Sequence, residues 1–185
     1  MILIDRKLVS NLSARARASA RLRQNHNFHP DYADPTNRML NALEPGTYVR
    51  PHKHETPDKW EAFVLLTGRA LVVTFDDAGN PGERAVLDAG TGVFGVEIPA
   101  RVWHSVATLQ PGTVLYEIKP GPYAPLDDKD FAPWAPAEGA PEAAGYLAGL
   151  TAGYAGANRR ETSSPKSGSR GETSRSDPKK RPVRT

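Results

Sequence analysis

The chain of 185 residues contains no cysteine. That excludes a disulfide scaffold, thiolate-bound zinc, an iron–sulfur cluster and a cysteine nucleophile. It also lacks any run near the ~18 consecutive apolar residues that a membrane helix needs. The opening MILIDRKLVSN places apolar residues before charges, the reverse of a secretory leader. A cytoplasmic protein with no membrane span is therefore expected. Aromatic residues are few, at 8%, whereas 16 glycines and 17 prolines are more than an average chain carries. This excess points to many turns, and so to a β-rich body or a disordered part.

The net charge of +3 conceals two unlike regions. Residues 158–185 hold nine Lys/Arg against three Asp/Glu, and the remainder holds fifteen against eighteen. The basic region has one aliphatic residue, Val183, and cannot offset the entropy of ordering, so it reads as a disordered tail. Lys179, Lys180, Arg181 and Arg184 suit a weak, salt-sensitive contact with anionic surfaces. With no aromatic residue there to stack on bases, no specific nucleic-acid partner is expected.

Asp5 can cap a helix running to about residue 22, with Leu8 and Leu12 spaced i, i+4 in an Ala-rich stretch. Residues 25–35 read as a polar loop. Short runs follow at 38–43, 47–50, 61–66, 70–75, 84–87, 93–98, 103–108 and 114–118, separated by turn signals such as DDAGNPG and QPG. Evenly spaced short strands imply an all-β barrel or double-sheet jelly roll. A Pro- and aromatic-rich segment then leads to a short helix at 141–154, with Phe131 and Trp134 expected to pin it to the barrel. The division expected is 1–35 for the N-terminal helix and polar loop packing on the barrel, 36–120 for the barrel, 121–157 for the C-terminal segment and 158–185 for the tail.

Five histidines carry the chemistry. His52 and His54 form an H-x-H pair whose rings face one side if the segment is extended. Glu61 opens the next strand, and His104 follows the turn IPARVWH. Three imidazoles and a carboxylate converging inside a small barrel make a site for one divalent transition metal ion. Fe, Mn, Ni, Cu and Zn all remain candidates, because supply and geometry decide among them. Singly, each residue has a plainer explanation: H-x-H recurs on loops, and Glu61 or His104 would serve as an ordinary strand or core residue. The joint pattern is what points to metal. Around it, Tyr48, Arg50, Lys59 and Trp103 are candidate substrate contacts, with Trp60, Glu97, Glu117 and Lys119 also beside the ligands. His29 is a candidate general base at the barrel mouth, or else a loop-ordering residue.

The stretches GTYVRPHKHETPDKWEAFVLLTG and GVFGVEIPARVWH resemble the two cupin motifs. Gly46, His52, His54, Glu61 and Gly68 match the first motif, with a longer gap before Glu61. Pro99 and His104 match the second, where Arg101 replaces the usual glycine and Thr108 the usual asparagine. More narrowly, RQNHNFH, RMLNALEPGTYVRPHKH, EIKPGPYAP and DKDFAPWAP resemble the WbuC-type cupin metalloproteins, over almost the whole body to about residue 150. That resemblance implies a metal-binding cupin jelly-roll barrel with an N-terminal and a short C-terminal helix. It also implies a role in surface-polysaccharide metabolism, on a sugar, sugar nucleotide or other small polar molecule, and a homodimer. Two functions compete: a metal-dependent isomerase, epimerase or oxygenase, and a non-catalytic metal-dependent binding or sensing module. An ion open to a pocket with a positioned acid or base favours the enzyme. An ion enclosed by apolar groups favours the module.

Overall fold

A computed structural model describes residues 1–123 and 130–154. Helix α1 (Arg6–Ala18) starts as expected, with the Asp5 carboxylate accepting the Leu8 N–H at 2.8 Å. It stops four residues before the expected end. Ser19 turns extended, and Leu22 takes φ 53° to send the chain into a strand.

The strands are β1 (Arg23–Asn27), β2 (Thr36–Leu43), β3 (His52–Lys53), β4 (Glu61–Thr67), β5 (Ala70–Phe75), β6 (Pro81–Leu87), β7 (Gly95–Ile98), β8 (Trp103–Thr108), β9 (Thr113–Pro120) and β10 (Asp130–Phe131). They form two antiparallel five-stranded sheets, ordered β1-β2-β9-β4-β7 and β10-β3-β8-β5-β6. The sheets pack as a jelly-roll-like sandwich, with helix α2 (Ala143–Thr151) near the C-terminal side of the described chain.

Alternation decides which side chains meet. Leu43, Phe63, Leu65, Val72, Val106 and Leu115 point between the sheets and form the central core. On the outer face of the first sheet, Leu40, Ala42 and Val114 meet Leu12 and Ala16 of α1. On the outer face of the second, Leu71, Val73 and Trp103 meet Ala132, Ala135 and Leu150. The run ALVV in β5 is thus buried on both faces, which is why it shows no alternation.

Two expected elements differ. The polar run at 25–35 is a loop only in part, because Arg23–Asn27 pairs along its full length with β2. The run at 47–50 is not a strand. Its carbonyls serve side chains instead of a ladder: Tyr48 O accepts from Arg23, Val49 O from Ser105 and Arg50 O from His52. Pro51 has no N–H to offer, and only His52 and Lys53 pair. The 158–185 tail lies outside the described residues. No helix among the described residues is long and apolar enough to cross a membrane.

Arg21 and Arg23 both clamp Glu138, at 2.7 and 2.6 Å, tying the C-terminal segment to β1. The hydrogen bond from Arg21, aided by Arg23 and opposed by partial burial, holds the Glu138 carboxyl down at about 2. A carboxylate depressed in the folded state stabilises it fully above its unfolded value near 4.5 and stops doing so as pH falls toward 2. Denaturant midpoints should therefore fall more steeply across that window in the wild type than in Glu138→Gln. Equal slopes would remove this clamp from the account.

Candidate metal centre

His52 and His104 are cross-strand partners on β3 and β8. Glu61 begins β4 in the opposite sheet, and its inward neighbours Phe63 and Leu65 lead into the central core. His54 follows β3, and its carbonyl accepts the Arg101 N–H at 3.0 Å. Arg101 holds φ 66° at the turn before His104, the position where the motif has glycine. The four side chains His52, His54, Glu61 and His104 are 1–2% exposed. One donor atom from each lies within 4.8 Å of all the others.

The rings are oriented by the backbone. The Nδ1–H of His52 donates to Arg50 O at 3.0 Å, and that of His104 to Val102 O at 2.9 Å. A neutral ring with its proton on Nδ1 presents the Nε2 lone pair to a metal. His104 Nε2 lies 3.0 Å from Glu61 Oε2, and His54 Nε2 lies 3.8 Å from the same oxygen. Burial pushes the Glu61 carboxyl up, but its contacts with the His104 and His54 rings and the charge of Lys119 prevail and hold it well below its ordinary value. It stays ionised, as a ligand must. Donors facing each other across one ion, with bonds of about 2.0–2.2 Å, stand roughly 4 Å apart, close to the spacing seen here. Three imidazoles and one carboxylate, buried and backbone-oriented, therefore fit a divalent first-row ion and could hold one.

A cavity of about 500 Å³ reaches His52 and Glu61. Its walls come chiefly from β1, β2 and β9, with His52 of β3, Glu61 and Phe63 of β4 and Val106 of β8. Asn37, Met39 and Asn41 line it from β2, and Leu115, Glu117 and Lys119 from β9. Asn25 and Asn27 of β1 also face it. The Asn41 amide donates to the Glu117 carboxylate. Lys119 Nζ bridges the two acids, 3.6 Å from Glu117 and 3.9 Å from Glu61. His29 is buried on the same wall.

The four expected substrate contacts stand elsewhere, and none of these four described residues lines the cavity. The Tyr48 hydroxyl donates to Pro136 O at 2.9 Å, and burial pushes its phenol up to about 12. Arg50 donates to Ala132 O at 2.7 Å and lies over the Phe131 ring. Lys59 donates to Pro122 O at 2.6 Å. Trp103 donates to Asp77 at 2.9 Å and packs against Trp134. All four make contacts with backbone or loops that the sequence does not bring near them. Trp60 and Glu97 are exposed, and so is Phe131, while Trp134 does pack on the sheet through Phe75. Asn37 and Asn41 were not anticipated. Their signal is a pair of asparagines four residues apart in TNRMLN, which strand alternation puts on one face together with Met39.

A family model described as a domain of unknown function, DUF6016, matches residues 4–87. No curated protein matches the chain. Similar solved structures include KdgF from a Halomonas species, 16% identical, covering 56% of this chain and 81% of that one with a TM-score of 0.43. A cupin superfamily protein from Desulfitobacterium hafniense is 16% identical, covering 53% and 76% with a TM-score of 0.42. The L-ribose isomerase of Cellulomonas parahominis is 16% identical, covering 61% and 70% with a TM-score of 0.47.

Proposed function

We propose that His52, His54, Glu61 and His104 bind one divalent transition metal ion and that the chain is an enzyme acting on a small polar molecule, a sugar derivative. The observation that carries this reading is a cluster of four donors, two of which, His52 and Glu61, line a cavity whose walls also bear Glu117, Lys119 and His29. When bound, such an ion polarises a hydroxyl or carbonyl oxygen as a Lewis acid. Glu117, held by Asn41 and Lys119, is placed to accept a proton. Lys119 offers positive charge to an oxygen on which negative charge develops. The asparagines of β1 and β2 supply donors and acceptors for hydroxyl groups. Walls that carry proton acceptors and donors favour an isomerase or epimerase over an oxygenase, and over a binding module with an apolar enclosure.

The sequence resemblance to WbuC-type cupins supports a place in surface-polysaccharide metabolism. The cytoplasmic setting and the homodimer belong to the same reading. Elemental analysis of untagged full-length protein should find one divalent ion per chain. Metal-loaded protein should then be stabilised by at least one member of a set of sugars and nucleotide sugars, since a ligand raises stability by RT ln(1 + [L]/Kd). Protein that takes up no ion after incubation with each candidate metal would end the metal assignment. A loaded protein that responds to no sugar derivative would end the substrate assignment.

A further inference from the structure

Beyond the metal ligands, one stretch of the cavity wall consists of groups that donate hydrogen bonds. Asn37 and Lys119 are register partners on β2 and β9, 1% and 3% exposed. Both line the cavity, as does His29. The Asn37 Nδ2 is buried and has no hydrogen-bond partner among the described residues. Native chains seldom keep such a donor unless a ligand or water meets it. The Lys119 ammonium carries donors and no acceptor. His29 Nδ1 lies 3.1 Å from both the Arg38 N–H and the Arg38 carbonyl, and in the tautomer that accepts from the N–H its Nε2 carries the proton and adds a third donor.

The backbone is shaped to leave the amide in place. A Cβ at Gly121 would stand 2.8 Å from Asn37 Nδ2 and 1.9 Å from Asp34 O, so only glycine fits there. The two acids of this region face other groups, Glu117 towards Asn41 and Lys119, and Glu61 towards His104 and Lys119. A ligand group seated at Asn37 therefore meets donors, which selects an acceptor-only group. With a divalent ion bound, Glu61, Glu117 and Lys119 leave net positive charge, and Arg21 and Arg23 on the same cavity wall share only the one carboxylate of Glu138, so the ligand that fits is an anion. Two neighbouring donors, Asn37 Nδ2 and Lys119 Nζ, match the two oxygens of a carboxylate.

Resting on the metal-dependent reading above, we infer that the substrate is a sugar acid whose carboxylate seats against Asn37 Nδ2 and Lys119 Nζ. Its hydroxyl-bearing end runs past Asn41 toward His52 and Glu61.

Calorimetric titration of the full metal-loaded chain tests this, with gluconate against sorbitol and glucuronate against glucose, and glucose 6-phosphate alongside. At least one acid should bind at least about tenfold tighter than its neutral partner and tighter than the phosphate. In Asn37→Leu that preference should fall to about twofold or less, with the metal content unchanged. Asn37→Asp, which sets a carboxylate against the ligand's own, should abolish it and serves if the leucine variant does not fold. No preference for either acid, a preference for the phosphate, or a preference that survives both substitutions would overturn the inference. Metal content measured on the same samples keeps the two readings apart. If no ion is held, the metal assignment fails by itself, and the same acid-to-neutral ratio on the ion-free chain still decides the role of Asn37.

Discussion

The His52→Ala, His104→Ala double variant is expected to lose its metal, with stoichiometry falling from one ion per chain to background. These residues face each other across β3 and β8, so the pair of substitutions removes a whole wall of the donor set. The remaining His54 and Glu61 are two ligands, too few to hold a transition ion against water and buffer. The ion's contribution to stability should vanish as well. At a free metal concentration 100 times Kd, that contribution is about 2.7 kcal/mol. The fold should survive, because β8 remains paired with β5 over six register positions. His52→Ala alone keeps the 3.0 Å contact between His104 and Glu61, and gives a milder test with an affinity loss of about tenfold or more. Undiminished stoichiometry in the folded double variant would refute the assignment.

Leu115→Ala should cost about 2–5 kcal/mol of folding stability. Leu115 is 0% exposed and sits on β9, between Asn41 of β2 and Leu65 of β4. It belongs to the central core and also forms part of the cavity wall below Glu117. Truncation leaves a void that the paired strands on either side cannot close. A domain of this size is stable by about 5–15 kcal/mol, so the loss is a large fraction of the total. Denaturant melts would show it as a lower midpoint with an unchanged slope. A change below about 1 kcal/mol would mean that the sandwich repacks freely.

The donor set was legible because it is written in local spacing. An H-x-H, a glutamate opening a strand and a histidine after a turn each show in a few residues. The strands between 61 and 118 were legible for the same reason, since turn residues separate apolar runs. β1 was not, because RQNHN has little intrinsic strand preference and is held by its pairing with β2. β3 and β10 are two residues each, too short for any period to register. That Tyr48 and Arg50 do not line the cavity has a single origin. Both bind carbonyls of the segment that follows the barrel, at Pro136 and Ala132, more than eighty residues along the chain. No local pattern records such a contact. The cavity wall is half visible in the sequence: Glu117 and Lys119 stand out as charges at a strand end, whereas nothing but their spacing marks Asn37, which precedes the expected run at 38–43, and Asn41 within it.

The late segment matters for how the protein is made. β10 flanks β3 on the side away from β8, so His52 lies between a strand of the barrel and one that comes after it. The strand that Glu61 opens, β4, likewise has β9, the last long strand, as one of its two neighbours, paired from Ala62 onward. A growing chain leaving the ribosome has all four ligands in hand by residue 104, yet it still lacks the partners that hold two of them. The four side chains would accordingly be set in place for an ion only once residue 130 has been added, and a message truncated before it would yield the four residues without their full surroundings.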